Sequence, residues 1–340
     1  MNKQIFGKLP NGQVATLYMI SGGGLTAQIS DYGATVVKLF VPDQKGNVAD
    51  VVLGFDDPNE YTASTTFFGA VVGRNANRVG GAQFCIGDKK CTMPVNDGPS
   101  NNLHSGPDYY KDRLWEVMLW EQDKIRMRLM SPDGDQGFPG NAEIHVTYAL
   151  EAPGTLHISY DAISDKDTVF NLTNHSYFNL AGHDKPQLAM DQELVMPARV
   201  FTPDDAYSIP TGQVRDVTGT PMDFRQGKAI GRDIAQDYDA LVLQGGYDHN
   251  FEVFCQPCAI LRDPVSGRSM SVVTDCPGIQ FYSGNFLMGE IGKDGVSYCH
   301  RGGICLETQF YPDAVNNPQW EQPFTPANTP YHSETRYIFY

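Results

Sequence analysis

Five polar, turn-forming segments carry the residue types that proton transfer on a neutral, hydroxyl-rich molecule requires. They are R-N-A-N-R (74–78), L-H-S-G (103–106), N-L-T-N-H-S-Y-F-N-L (171–180), Y-D-H-N-F (247–251) and C-L-E-T-Q-F-Y-P-D (305–313). Such chemistry needs a proton donor, a proton acceptor and planar groups that grip hydroxyls. Three of the eight histidines, His104, His175 and His249, lie in these segments among Asn, Asp, Ser and aromatic residues. In an extended stretch, His175, Tyr177 and Asn179 share one face, a surface suited to a sugar. The competing reading is a polar loop whose Asn side chains satisfy backbone groups.

Glu307 stands out as a carboxylate in a largely apolar run, G-I-C-L-E-T-Q-F. With Ile304 and Leu306 on one face, Glu307 shares the other with Cys305 and Gln309. A buried carboxylate without a cationic partner has a raised pKa and becomes a better base near neutrality. The alternative is an ion-paired structural Glu. Asp248 is a similar case in a turn-like setting. Asn77 and Arg78 end the run F-G-A-V-V-G-R-N-A-N-R and should emerge from a sheet at a loop. Tyr177, Phe178, Phe281, Tyr282, Phe286, Phe310 and Tyr311 lie in or beside the clusters, where rings could stack on the C–H faces of a sugar. For most of the chain's 17 Tyr and 18 Phe a core position is the simpler expectation.

The elements that position these groups read as strands. Ile144, Val146, Tyr148 and Leu150 alternate with Glu143, His145 and Thr147. After E-A-P-G-T, Leu156, Ile158 and Tyr160 alternate with His157, Ser159 and Asp161, which predicts a β-hairpin. Ile125, Met127 and Leu129 form another alternating run, and Leu25–Ile29 and Val36–Val41 read as further strands. The 34 Gly and 22 Pro punctuate such runs at short intervals. Helix signals are few: Ile230, Ile234 and Tyr238, four apart, and Asp57 to Ala63. Pro318 to Pro330 should run as an extended surface segment before a last strand. Strand after strand without long helices predicts an all-β sandwich or barrel. No linker, charge block or repeat divides the chain, so residues 1–340 read as a single domain.

Composition narrows the function classes. A net charge of −15, with scattered Lys and Arg, argues against nucleic acid and anionic membranes as partners. No segment approaches the roughly 20 apolar residues that cross a bilayer. The N-terminal M-N-K-Q-I-F-G-K-L-P lacks the apolar core of a secretory signal. Seven cysteines cannot all pair within the chain, so free thiols and a cytoplasmic location are expected. Cys255-Gln-Pro-Cys258 has no second pair at zinc spacing and reads as a structural turn. The sequons at Asn171 and Asn174, and the EF-hand-like start at Asp133, carry no function. The latter has Ile144 where the loop needs its twelfth-position Glu.

The segments together resemble the aldose 1-epimerase (galactose mutarotase) family. The resemblance also includes S-P-D-G-D-Q-G-F-P-G (131–140), T-P-D-D-A-Y-S-I-P-T-G (202–212), P-G-I-Q-F-Y-S-G-N (277–285) and L-E-T-Q-F-Y-P-D-A-V-N (306–316). It covers essentially the whole chain in order and spacing. It implies a large antiparallel β-sandwich, the galactose mutarotase-like supersandwich, and interconversion of the α and β anomers of a free aldohexose such as galactose or glucose. No cofactor or metal is implied. Glu307 would be the general base at the C1 hydroxyl and His175 the general acid at the ring oxygen, with His104 assisting. Asn77, Arg78, Asp248 and Gln280 would hold hydroxyls, beside Tyr177. Arg74 and Arg78 compete for one role, and the family pattern favours Arg78. The expected partner is a monosaccharide, and the expected assembly a monomer or homodimer.

Three rival readings remain open at this point. A hexose-6-phosphate mutarotase would need cations placed for a phosphate, with Arg74 or Arg301 available. A non-catalytic sugar-binding module would have no reason to keep both Glu307 and His175. A glycoside hydrolase would pair Asp248 with Glu307 and leave His175 without a role.

Overall fold

The computed structural model describes residues 2–340. Three large antiparallel sheets dominate. The first is a meander of five strands in chain order, Asn2–Lys8, Val14–Gly22, Leu25–Ser30, Thr35–Pro42 and Val48–Asp50. The second has nine strands and is centred on Ala142–Glu151, Thr155–Ser164 and Tyr331–Phe339. The third has six strands, ordered Tyr177–Phe178, Ile304–Gln309, Gly278–Tyr282, Asp248–Glu252, Val200–Phe201 and Arg215–Asp216.

The expected hairpin forms as the periodicity dictates. Ala142–Glu151 pairs with Thr155–Ser164, with Leu150 opposite Leu156. Ile144, Val146, Tyr148, Leu150, Leu156 and Ile158 are all buried in one core shared by the large sheets. Tyr148 keeps its hydroxyl satisfied by donating to the Ala34 carbonyl at 2.6 Å. That bond ties the nine-stranded sheet to the loop before Thr35–Pro42.

Long-range closure comes from the last strand. Tyr331–Phe339 inserts between Thr155–Ser164 and Ser269–Thr274 instead of adding to an edge. Its inner face meets the six-stranded sheet. Tyr337 donates to the Leu306 carbonyl at 3.0 Å, its ring lies 5.1 Å from that of Phe178, and Thr335 and Thr308 share a hydroxyl contact. Leu306 and Thr308 therefore face the second sheet. By period-two alternation Cys305, Glu307 and Gln309 face the other way. All of the strand Ile304–Gln309 is buried, so Cys305, Glu307 and Gln309 are largely shielded from water.

Some local expectations change in three dimensions. The spacing of Ile230, Ile234 and Tyr238 suggests a helix. The structure has only a 3₁₀ turn at Ile230–Arg232, and the helix lies later, at Asp239–Gln244. Ile230 and Ile234 are buried because separate turns carry both inward. The helix near residue 57 forms as read, Pro58–Ala63, with Asp57 capping the Asn59 N–H at 2.8 Å. The segment around Cys255 is strand, turn, strand, but Asp248–Glu252 and Ala259–Arg262 belong to different sheets. Cys255 is exposed, Cys258 is buried, and all seven cysteines are free. In the proline-rich tail, Phe324–Thr325 makes a short ladder with Thr168–Val169.

Candidate active site

Residues of the six-stranded sheet and of the loops beside it line a cleft of about 120 Å³. Its floor is Glu307 and Asp248. Its walls are Phe67, Tyr177, Tyr282 and Phe286, and its polar rim includes Asn77, Arg78, His104 and His175. Seven of the eight site residues expected from the sequence thus converge on one space, although they lie up to 230 positions apart. Gln280 is the exception. It is buried just behind the lining and donates to Asp248 Oδ1 at 2.8 Å. Asn179, expected on the His175 face, is also outside the cleft. Its amide bonds Lys185 and Gln192, so there the backbone-satisfying reading wins.

His175 sits in an aromatic slot. Its ring stacks between Tyr177, 5.1 Å away, and Phe67, 5.8 Å away, with the edge of His104 at 5.4 Å. Its backbone is pinned by the Gly69 N–H, which donates to the His175 carbonyl at 3.0 Å. Gly69 is at φ +65°, and a Cβ there would lie 2.2 Å from the Val36 carbonyl, so only glycine permits this approach. Nε2 of His175 faces Glu307 Oε1 at 3.6 Å, and Nδ1 faces Cys305 Sγ at 3.6 Å.

Glu307 is 2 % exposed, and its Oε2 has no hydrogen-bond partner. Burial, then the Asp248 carboxylate, pushes its carboxyl well above the usual range, while Arg78 pulls it down. Burial raises Asp248 as well, opposed by Arg78 and by the Gln280 bond. Burial lowers His175 to about 4, so its imidazole is neutral near pH 7. His104 is also driven well below 6.5, by burial first and then by His175 and Arg78. Because its Nδ1 accepts the Asn77 N–H at 3.1 Å, neutral His104 must carry its proton on Nε2.

The loops that present these groups are conformationally unusual. Phe67, Asn77 and His104 all have positive φ, of 59°, 63° and 53°. For a bulky aromatic such as Phe67 that backbone is rare, and strain of this kind clusters at functional sites. Reciprocal bonds hold two of them: His104 N–H donates to the Asn77 carbonyl, and Asn77 N–H to the His104 ring.

The two arginines of R-N-A-N-R separate completely. Arg74 is fully buried away from the cleft and donates to the carbonyls of Ser131, Pro139 and Gly140 and to the hydroxyls of Ser131 and Thr168. Arg78 lines the cleft and pairs with Asp97 at 3.0 Å. Sequence reasoning missed Asp97, as well as Phe67 and Thr66 on the cleft wall. None has a local signal, since each belongs to a loop placed only by the fold.

His175, Cys305 and Glu307 offer a nitrogen, a sulfur and an oxygen within 4.8 Å of one another. Sulfur and carboxylate, however, address different ring nitrogens of His175, so the three do not converge on one ion as a structural zinc site does.

Comparison with known proteins agrees with this architecture. The aldose 1-epimerase family model matches residues 16–338. The galactose mutarotase of Mus musculus is 39% identical, over 100% of this chain and 98% of that protein. The aldose 1-epimerase of Escherichia coli K12 is 33% identical, over 97% and 96% respectively. Among solved structures, an aldose epimerase homologue from C. elegans superposes with a TM-score of 0.87 at 31% identity, covering 95% of this chain and 98% of that one. The galactose 1-epimerase of Lactobacillus acidophilus NCFM gives 0.87 at 27%, covering 100% and 98%. A large antiparallel β fold carries a buried histidine and glutamate side by side in an aromatic cleft. The chain belongs to the aldose 1-epimerase family and is an isomerase.

Proposed function

We propose that the cleft opens and recloses the ring of a free aldohexose, with Glu307 as base and His175 as acid. Glu307 takes the proton from the C1 hydroxyl, the bond between C1 and the ring oxygen breaks, and His175 Nε2 gives its proton to that oxygen. The C1–C2 bond rotates and the reverse transfers close the ring on the other face of the aldehyde. The observation that carries this reading is the Glu307–His175 pair. One acid and one base lie 3.6 Å apart, buried, with a carboxylate oxygen left unpartnered toward the cleft.

The proton count fits a reversible reaction. Desolvation by itself favours the neutral arrangement, Glu307 protonated and His175 neutral. That is the arrangement the pair has after ring opening. With cyclic sugar bound, the proton must sit on His175, and Arg78 and the sugar hydroxyls favour the ionised carboxylate. Two groups this close titrate as a pair. His104 donates through Nε2 to an oxygen of the reacting centre. Asn77, Arg78 and Asp248 hold hydroxyls, Gln280 orients Asp248, and Tyr177 backs His175.

A phosphorylated hexose fits less well. Arg78 is the one Lys or Arg side chain lining the cleft among the described residues. It is already paired with Asp97, and Asp248 and Glu307 would repel a phosphate. Arg74 is committed to carbonyls and hydroxyls of the scaffold, and Arg301 donates to the Gly245 carbonyl at 2.6 Å. We further propose that residues 1–340 act as one domain, in the cytoplasm, as a monomer or homodimer. The shared core and seven free thiols support the first two.

Polarimetry on freshly dissolved α-D-galactose, with wild type and Glu307→Gln side by side, tests the reading. Faster relaxation to the same final rotation, lost in the variant, is expected. An unchanged spontaneous rate with both galactose and glucose refutes it, and hexose 6-phosphates then become the substrates to test.

A further inference from the structure

The imidazole of His175 must present Nε2 to the sugar in both proton states, and something has to hold the other nitrogen. In His104 that task falls to a backbone N–H, which donates to Nδ1. His175 has no such donor. Its Nδ1 meets Cys305 Sγ at 3.6 Å, and no other side chain bonds that nitrogen, although the ring also interacts with the backbone of its own residue. Cys305 is fully buried, two residues before Glu307 on the same strand face, and makes no other side-chain hydrogen bond.

We propose that Cys305 is a positioning residue: its sulfur accepts the Nδ1 proton of His175 and so keeps Nε2 as the nitrogen that exchanges a proton with the substrate. The inference rests on the acid–base reading above and supplies its missing tautomer. A single direction of donation then runs through the pair. Glu307 O–H points toward the bare Nε2, and Nδ1–H points toward Sγ. When the cyclic sugar draws the proton from Glu307 to Nε2, Nδ1–H stays where it is, and after donation to the ring oxygen the same tautomer returns. The opposite tautomer would aim an Nε2 proton at a protonated carboxyl and leave Nδ1 bare against a weak S–H donor. The thiol itself stays protonated, since burial, with Glu307 and Asp248 adding to it, raises it well above 9.0. The contact is thus a neutral hydrogen bond and not a thiolate–imidazolium pair. Sulfur is a weak acceptor, so the effect on rate should be modest.

The experiment is ¹⁵N NMR of histidine-labelled full-length protein near pH 7 without sugar, for wild type, Cys305→Ala and Cys305→Ser, with polarimetry on galactose alongside. In wild type, His175 should show a pyrrole-type Nδ1 and a pyridine-type Nε2, assigned by loss of the signals in His175→Gln. Cys305→Ala should mix the two tautomers and lower kcat by about 3- to 10-fold, the rate equivalent of one net hydrogen bond, with KM within about twofold. Cys305→Ser, which keeps an acceptor, should restore the Nδ1–H form and most of kcat. A wild-type protein with the proton on Nε2, or a ratio unmoved by alanine, overturns the proposal whatever the activity. The expected tautomer shift in a protein that leaves galactose untouched would support the role of Cys305 and refute the mutarotase reading separately. If Cys305→Ala fails to fold, the wild-type spectrum alone still decides which nitrogen carries the proton.

Discussion

Two buried ion-forming clusters show opposite designs. Beneath the five-stranded sheet, Lys293 is fully buried and donates to Asp50 Oδ2 at 2.5 Å and to the carbonyls of Val37 and Val52 at 2.7 Å. The other oxygen of Asp50 accepts the Leu39 N–H at 3.0 Å. Every polar atom there has a partner, and the cluster joins the loop at Lys293–Gly295 to strands far away in sequence. In the cleft, Glu307 is equally buried, but no lysine or arginine forms an ion pair with it, the nearest ionisable group is a histidine at 3.6 Å, and its Oε2 has no partner. Arg74 and Arg78, four residues apart, differ in another way: Arg74 is held by scaffold carbonyls and hydroxyls away from the cleft, whereas Arg78 lines it. Burial of a charge therefore does not mark a site here; incomplete satisfaction toward an open space does.

The contrast breaks most sharply through paired substitutions. Glu307→Gln should lower kcat by about 10²- to 10⁴-fold, read by polarimetry, while thermal unfolding shows a fold at least as stable. The stability sign follows from linkage. A carboxyl raised in the folded state loses stability as pH climbs from its ordinary value through the raised one, so removing it helps at neutral pH and above. Lys293→Met should do the reverse. It leaves Asp50 buried and unpaired, which costs about 3–5 kcal/mol, and any loss of activity should track the unfolded fraction.

The arginines sharpen the same point. Arg74→Met should destabilise by roughly 1–3 kcal/mol, because it orphans several buried carbonyls and hydroxyls, with KM unchanged in the molecules that fold. Arg78→Met should raise KM for galactose and move Tm little, since its partner Asp97 is partly exposed and can hydrate. Calorimetry and initial rates on both variants separate the two.

Acid titration gives an effect that appears only below neutral pH. Burial holds His175 at about 4 and His249 at about 3 in the fold, against 6.5 for the ordinary group. Stability held at neutral pH should fall as pH drops below 6.5 toward those values, because the unfolded chain gains protons first. His175→Gln should remove part of that slope, on the order of 3 kcal/mol by pH 4. Denaturant melts between pH 7 and pH 4 measure it, and an unchanged slope would mean that His175 is not buried neutral. The smallest effect is expected at the exposed Cys255. Cys255→Ser should leave rate and Tm within error, because C-x-x-C here is a turn with one buried and one exposed thiol.

The strands were legible because period-two alternation is local. The run from Ala142 to Ile158 needs only its own side chains to declare a hairpin with one buried face. Glu307 and His175 were legible for a related reason: a carboxylate in an apolar run, and a histidine among amides and aromatics, are compositional conflicts visible in one dimension. The helix near residue 234 was misread because two isoleucines four apart are buried by turns as readily as by a helix. For Asn179 the sequence leaves two readings, a shared face or a polar loop, and the second holds because the chain turns after Phe178 and the amide bonds Lys185 and Gln192. Phe67 and Asp97 gave no local signal at all.

The sequence by itself determined an all-β chain, the residue types for acid–base work on a sugar, and the family. Tertiary structure alone decided which arginine reaches the cleft, that Gln280 stands behind Asp248, and that Cys305 meets Nδ1 of His175. The reason is physical. Periodicity and composition report on neighbours along the chain, but a pKa, an orphaned oxygen or a ring nitrogen's partner depends on groups that only long-range strand pairing brings together.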